Sequence, residues 1–137
     1  MRIVIIGAGK IGRHLARELA EAGHAVTVAE SDAEVARNLA ESVDALVLEG
    51  DGTSMSILKS AEVSRADWLL AVTGQDEVNL TACELAETLG AKRVLARLND
   101  PRNRATFDSL GIPVVAVTDL ISQLISREID FFHLERI

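Results

Sequence analysis

The chain has 137 residues, 48% of them hydrophobic and 26% charged, which is typical of one folded domain and excludes a disordered tail. The 14 basic and 21 acidic residues give a net charge of −7, and without an evident cluster of lysines and arginines we do not expect a nucleic-acid partner. A single cysteine, Cys83, excludes an internal disulfide and a multi-cysteine zinc site, and agrees with a reducing cytoplasm. No apolar run approaches the ~20 residues of a membrane span, and no signal peptide is expected before the first strand.

Strands and helices are predicted to alternate through the first half of the chain. Residues 3–6 form a continuous apolar run that ends at Gly7, a pattern typical of a strand buried on both faces of a parallel sheet. Apolar residues then recur at helical spacing over residues 11–22, before Gly23. The next predicted elements are a strand at 25–29, a helix capped by Ser31 or Asp32, a strand at 45–48 and a short helix near 55–60.

The second half repeats this pattern. Its predicted elements are a strand at 68–72, a helix at 76–89, a strand at 93–96, a helix begun by Asp100 and Pro101, and a strand at 114–117. From Asp119 an apolar helical stripe follows, comprising Leu120, Ile121, Leu124, Ile125 and Ile129, with a tail at 131–137. Six strands alternating with helices predict a three-layer α/β Rossmann fold, with a doubly wound six-stranded parallel sheet in the order 3-2-1-4-5-6 and a C-terminal linker helix. We divide the chain into a nucleotide-binding domain, 1–118, and an interface helix and tail, 119–137.

A glycine-rich loop joins the first predicted strand to the first helix. It reads Gly7, Ala8, Gly9, Lys10, Ile11, Gly12. This G-x-G-x-x-G pattern between a strand and a helix predicts a dinucleotide-binding loop. Gly7 would allow the tight turn, Gly9 would let the backbone approach a pyrophosphate, and Gly12 would let the helix pack closely on the strand. The helix N-terminus supplies N–H donors and partial positive charge for phosphates.

An acidic residue is expected at the end of the second strand of such a fold, where it binds the ribose hydroxyls. Glu30 lies 23 positions after Gly7 and directly follows the predicted strand. Its carboxylate would repel a 2′-phosphate, so NADP should bind poorly. Asp32 is the competing candidate, although its position favours a role as helix N-cap.

Four further side chains, together with Gly74, are candidates for the same crevice, and each of the four also has a structural interpretation. Asp51 would meet the exocyclic amine of adenine or cap the next helix. Thr73, with Gly74 after it, would direct a hydroxyl at the pyrophosphate or second ribose, or cap a helix. Lys10, and Arg97 just past the fifth strand, would neutralise phosphate charge or lie at the surface as solvated charges.

The sequence predicts neither a catalytic group nor a metal site. His14, His24 and His133 lack neighbouring residues at ligand spacing, and Cys83 lies within a helical pattern. We expect the nucleotide fold to take up the whole length, with no second domain that would hold a substrate against a nicotinamide. We therefore expect a protein that is not an enzyme.

The residues together resemble the TrkA-N family, the cytosolic nucleotide-binding domains of potassium transport that are also called the N-lobe of RCK domains. The matching residues are Gly7 to Gly12, Glu30, Gly50 to Thr53, Ala71 to Gly74, Asp76, Glu77, Asn79, Ala96 and Arg97. The resemblance implies that residues 7–11 cradle the pyrophosphate, Glu30 holds the adenosine ribose and Asp51 borders the adenine. It also implies that Thr73 and Gly74 line the switch point and that Arg97 reaches the phosphates.

The resemblance implies a regulatory subunit or domain that binds NAD(H), or in some members ATP or ADP, and gates a potassium channel or transporter. It further implies a homo-oligomer, a dimer or ring formed through the helix at 119–132, located in the cytoplasm at the inner face of the membrane beside its transporter partner. Family members commonly continue into a small C-terminal lobe, whereas the present sequence ends after the linker helix. Two alternatives stay open: an ATP/ADP-sensing version of the module, or the cofactor-binding half of a small NAD-dependent dehydrogenase.

Overall fold

The computed structural model describes residues 1–136, and the side chains of residues 1–133. Its strands are β1 (Arg2–Ile6), β2 (Ala25–Glu30), β3 (Leu46–Glu49), β4 (Trp68–Ala71), β5 (Val94–Leu98) and β6 (Val114–Ala116). Its helices are α1 (Lys10–Glu21), α2 (Ala33–Ser42), α3 (Met55–Ser60), α4 (Asp76–Leu89), α5 (Arg104–Ser109) and α6 (Val117–Arg136), with 3₁₀ turns at Val63–Arg65 and Pro101–Asn103. Ile137, in the predicted tail, lies outside the described residues.

The six strands form one sheet in the order β3-β2-β1-β4-β5-β6. Every pairing is parallel, with Ile5 of β1 opposite Val28 of β2 on one side and Leu70 of β4 on the other. The predicted strand order is therefore confirmed. The order reverses between β1 and β4, and in an open parallel sheet a crevice forms outside the carboxyl ends of the strands at that point.

Hydrophobic cores on both faces of the sheet hold helices α1 to α5 in place. Ile3 and Ile5 point to the face covered by α1 and α2, whereas their neighbours Val4 and Ile6 point to the face covered by α3, α4 and α5. β1 thus buries both of its faces, since successive side chains of a strand alternate in direction. This explains the continuous apolar run that predicted the first strand.

Helix ends follow the predicted capping chemistry. Asp32, rather than Ser31, caps α2: its Oδ1 accepts hydrogen bonds from the backbone N–H groups of Glu34 at 3.0 Å and Val35 at 3.1 Å. Gly90 ends α4 with a φ of 101°, a left-handed conformation that side-chain-bearing residues rarely adopt. These caps fix where each helix releases the chain toward the next strand.

Several boundaries differ from the predictions, and three of them differ by two residues or more. β5 extends to Leu98 because Arg97 and Leu98 pair with Val115 and Ala116 of β6, so Arg97 lies inside the strand and not beyond it. The Asp100 cap begins a 3₁₀ turn that precedes α5. α6 begins at Val117, directly after β6, and continues through the predicted tail to Arg136. Within residues 1–136, no helix is long and apolar enough to cross a membrane. The division at residue 118 stays a prediction.

Candidate functional site

A crevice of about 360 Å³ lies at the carboxyl ends of the central strands. The strand ends and loops contribute Gly7 and Gly9 after β1, Glu30 and Ser31 at the end of β2, Gly50, Asp51 and Gly52 after β3, Thr73, Gly74 and Gln75 after β4, and Arg97 from β5. Most of the residues that the sequence predicts for the site therefore line one cavity, and Ala8 supports it through the hydrogen bond described below.

The glycine-rich loop has the geometry that its sequence predicts. Gly7 has a φ of 101°, and a Cβ built on it would lie 2.9 Å from Thr73 Cγ2, so Gly7 is required both by the turn and by the close approach of Thr73. A Cβ on Gly12 would lie 2.8 Å from the carbonyl carbon of Gly7 and closer still to its oxygen. Gly12 therefore serves the packing of α1 on β1. A Cβ on Gly9 would meet nothing within 4 Å, so this edge of the crevice is open.

Glu30 links the end of β2 to the glycine-rich loop. Its Oε1 accepts a hydrogen bond from the backbone N–H of Ala8 at 2.8 Å, and its Oε2 accepts one from the backbone N–H of Asp32 at 2.9 Å. A carboxylate offers about four acceptor positions, so Glu30 keeps acceptor capacity while its orientation is fixed. Such an acceptor suits the hydroxyl groups of a ribose.

Asp51 takes its structural role within the loop that follows β3. Its Oδ1 accepts hydrogen bonds from both the backbone N–H and the hydroxyl of Thr53, each at 2.8 Å. The hydrogen bond from the Thr53 backbone, followed by that from the Thr53 hydroxyl, lowers the pKa of Asp51 below its ordinary value. Asp51 is thus a loop-capping carboxylate that also lines the crevice.

Thr73 does not direct its hydroxyl into the crevice, which was one of the two roles predicted for it. Its Oγ1 donates toward Asn79 Oδ1 at 2.7 Å and toward the carbonyl oxygen of Gln75 at 3.1 Å, and it accepts a hydrogen bond from the Gln75 backbone N–H at 3.2 Å. Because the hydroxyl is committed to Asn79 of α4 and to Gln75, Thr73 shapes the crevice wall and is not arranged as a free donor. Gly74, next in the chain, lines the crevice beside it.

Arg97 contacts two cavities. Its side chain lines the crevice and also a groove of about 270 Å³ formed by apolar side chains of α1, β4, β5 and β6 with Val117. Its Nε is buried and has no hydrogen-bond partner within the described part of the chain. An unpaired buried donor is costly, and an anionic group in the crevice would be a suitable acceptor for this guanidinium.

Two predicted residues extend away from the crevice. The Lys10 side chain lies between α1 and α2, in a groove that it shares with Arg13, His14 and Arg17. Ile11 lines the apolar groove instead. The first N–H groups of a helix have no partner within the helix, so at these positions the backbone remains available to a ligand. α1 also brings these basic residues together on one face, a clustering that was not predicted from the sequence.

Sequence reasoning missed Ser31, Gln75 and Val78 as lining residues. Ser31 and Gln75 follow predicted strand ends closely, and that position is the signal that could have found them, whereas Val78 lies in the first turn of α4. It also gave no structural role to Asn79, which is fully buried beneath the Thr73 loop.

The sequence model of the TrkA-N domain matches residues 3–118, most of the chain. The chain belongs to the TrkA-N domain family. Among curated proteins, this TrkA-N domain is 40% identical over 111 residues to a Trk system potassium uptake protein TrkA homolog of Pyrococcus abyssi, covering 80% of the chain and 49% of that protein. A second TrkA homolog, of Methanothermobacter thermautotrophicus, is 36% identical over 132 residues, covering 93% of the chain and 61% of that protein. The chain thus spans about half to three-fifths of the length of these relatives.

Solved structures agree with this family and fold. The GsuK channel bound to NAD matches the TrkA-N domain with a TM-score of 0.78 and 25% identity, over 87% of this chain and 22% of that one. GsuK bound to ADP matches with a TM-score of 0.77 and 25% identity, over 87% of this chain and 32% of that one. The TrkA-N domain of the inner membrane protein ybaL from Escherichia coli, at 18% identity and a TM-score of 0.84 over 92% of this chain and 94% of that one, shares the fold.

The residues present fit a nucleotide with a phosphate chain. Open space at Gly9, a fixed carboxylate acceptor at Glu30 and an unpaired buried guanidinium nitrogen at Arg97 surround one crevice within the described residues. The open space at Gly9 would let the backbone approach phosphates, and Glu30 would accept hydrogen bonds from ribose hydroxyls. Arg97 would supply the counter-charge to the phosphates.

Proposed function

We propose that this TrkA-N domain is a nucleotide-sensing regulatory domain of a potassium channel or uptake system, with the nucleotide bound in the crevice between the glycine-rich loop, Glu30 and Arg97. The observation that carries the proposal is the convergence of these three groups on one cavity at the switch point of the sheet. The names of the curated relatives and the NAD-bound and ADP-bound GsuK structures support it.

NAD(H) is the ligand we propose first, with ADP or ATP as the alternative. These ligands share an adenosine with free ribose hydroxyls and a chain of phosphates. Glu30 is suited to accept from the hydroxyls, and its charge would oppose the 2′-phosphate of NADPH.

The proposal assigns the domain a regulatory role and not a catalytic one. A ligand can shift the arrangement of a protein only if it binds the alternative arrangements with different affinity. We propose that the arrangements differ in how two copies of the chain are disposed, and that a membrane-embedded transporter or channel subunit reads this difference at the cytoplasmic face.

Helix α6 supports the proposal of a homo-oligomer. It exposes Leu120, Ile121, Leu124, Ile125 and Ile129, each between 46% and 63% accessible. The ten helical residues from Leu120 to Ile129 span about 15 Å, and an exposed apolar surface of this kind is typical of an interface. Light scattering of Leu124→Glu, with Ser126→Glu as a charge-matched control on the same helix, tests it: we expect only Leu124→Glu to reduce the mass toward that of a monomer. An unchanged mass would contradict an interface at this stripe.

Calorimetric titration of the chain with NADH, NAD, NADPH, ADP and ATP tests the nucleotide site. We expect NADH, NAD or ADP to bind and NADPH to bind at least about tenfold more weakly, and Glu30→Gln to narrow that difference because the repelling charge is removed. Glu34→Gln, an exposed substitution in the first turn of α2, is the matched control. Absence of binding by all five nucleotides would refute the proposed site, whereas preference for ATP or ADP would retain the site and change the signal that it senses.

A further inference from the structure

A buried carboxamide joins two parts of the crevice wall. Asn79 is the fourth residue of α4 and is fully buried. Its Oδ1 accepts hydrogen bonds from the backbone N–H of Thr73 at 2.9 Å and from the Thr73 hydroxyl at 2.7 Å. Its Nδ2 donates to the carbonyl oxygens of Thr73 at 3.0 Å and Arg97 at 2.9 Å.

These four hydrogen bonds use the full capacity of the side chain. A carboxamide has two N–H donors and an oxygen with two lone pairs, so none remains for a ligand. Asn79 also does not appear among the residues that line the crevice. It can therefore influence a bound ligand only through the groups that it holds.

The backbone groups that Asn79 binds follow or belong to two different strands. Thr73 belongs to the loop after β4 and leads directly to Gly74, while the carbonyl of Arg97 belongs to β5. Gly74 and the Arg97 side chain both line the crevice. The Asn79 side chain thus fixes the distance between the backbone at Thr73 and the position of Arg97 in β5.

The Thr73 loop, which Asn79 holds, also contacts the glycine-rich loop. Thr73 Cγ2 lies 2.9 Å from where a Cβ on Gly7 would be, so the Thr73 loop is packed directly against Gly7. Asn99 reinforces the arrangement, because its Nδ2 donates to the Thr73 carbonyl oxygen at 3.1 Å and to Asp76 Oδ1 at 2.9 Å. By contrast, the hydrogen bonds that hold Glu30 and Asp51 involve none of these residues.

We infer that Asn79 is a positioning residue for the phosphate portion of the nucleotide, holding Gly74 and Arg97 in register with the glycine-rich loop without touching the ligand. The inference rests on the proposed function and deepens it. Groups that bind an anion act best when packing and hydrogen bonds behind them fix their positions in advance. Binding of the adenosine portion, which we assign to Glu30, should be insensitive to Asn79.

The test measures the affinity of Asn79→Ala for three probes: ADP, NAD and adenosine, the last of which lacks phosphate. We expect affinity for ADP and NAD to fall about tenfold or more, because the loop and Arg97 lose their shared partner, while affinity for adenosine stays within about twofold. Asn38→Ala, an exposed asparagine on α2, is the matched control and should bind all three as the wild type does. Thermal melting verifies that each variant is folded.

A second variant keeps the test informative if Asn79→Ala does not fold. Asn99→Ala removes the other side-chain donor to the Thr73 carbonyl from a partly exposed position, and we expect the same selective loss at about threefold. A folded Asn79→Ala or Asn99→Ala that binds ADP and NAD like the wild type, or that loses adenosine in equal proportion, overturns the inference. A wild-type chain that binds none of the probes refutes the proposed function itself, and the inference with it.

Discussion

Substitution of two glycines of the same loop should affect different properties: stability at Gly12 and nucleotide binding at Gly9. Gly12 lies against the Gly7 carbonyl, and a Cβ there would lie 2.8 Å from its carbon, below the 3.0 Å that real Cβ atoms essentially never breach. A Cβ on Gly9 would meet nothing within 4 Å, and the φ of Gly9 is an ordinary −70°. Gly12→Ala therefore perturbs the fold, whereas Gly9→Val perturbs the crevice.

The size of the Gly12 effect follows from what must move. The contact is with the backbone that directly follows β1, at the centre of the sheet, so α1 has to shift as a body and lose packing along its buried face. Overpacking of this kind costs about 3 kcal/mol, which for a chain of this length lowers the midpoint of thermal unfolding by about 10 °C. Gly9→Val should change the free energy of unfolding by less than about 1 kcal/mol.

Nucleotide binding should show the reverse pattern. In Gly9→Val the added isopropyl group would occupy the open edge of the crevice, where the backbone approaches a phosphate, and should weaken ADP binding by more than about tenfold. Gly9→Ala, with a single added carbon, should give an intermediate loss. Thermal melting and calorimetric titration of all three variants measure the two effects separately. A Gly9→Val protein with wild-type affinity for ADP would refute the placement of the phosphates at this loop, and a Gly12→Ala protein as stable as the wild type would refute the packing argument.

Three further predictions concern stability and reactivity. Burial raises the pKa of Asp76, but hydrogen bonds from the connection after β5 outweigh this effect and bring the pKa below the ordinary 3.8. The charged form therefore stabilises the fold fully above that value, and this stabilisation is lost as the pH falls through the folded pKa. In urea titrations, the difference in the free energy of unfolding between the wild type and Asp76→Asn should narrow below about pH 4. A stability difference between the two proteins that is constant with pH would contradict the lowered pKa of Asp76. Burial, with the charge of Glu87, raises the pKa of the Cys83 thiol to about 12, so iodoacetamide at about pH 8 should label Cys83 only after unfolding; rapid labelling of the folded chain would show the thiol to be accessible. Gly90→Ala should lower the free energy of unfolding by about 1 kcal/mol because Gly90 has a φ of 101°, and an equally stable variant would contradict the left-handed cap.

Local patterns were sufficient to predict the sheet and most of the crevice. The apolar run of β1, the glycines after it and Glu30 at a fixed spacing are short-range features, and the right-handed β-α-β connection turns such features into one strand order. Because every strand is parallel, the carboxyl ends of all the strands reach the same edge of the sheet. Gly12 and Asp32 were likewise predictable, since a close helix–strand contact and an N-cap each involve a single turn of chain.

Contacts between distant residues decided the rest. The sequence places Thr73 near the switch point, but only the folded chain brings Asn79 beneath it and commits its hydroxyl. β5 extends past Arg97 because β6 pairs with it, and this pairing gives Arg97 its position between the crevice and the apolar groove. Lys10 and Ile11 belong to the glycine-rich motif, but their positions on α1 direct their side chains into other grooves. A motif fixes the backbone path of a site, whereas the hydrogen bonds and packing that orient its side chains depend on which strands and helices become neighbours.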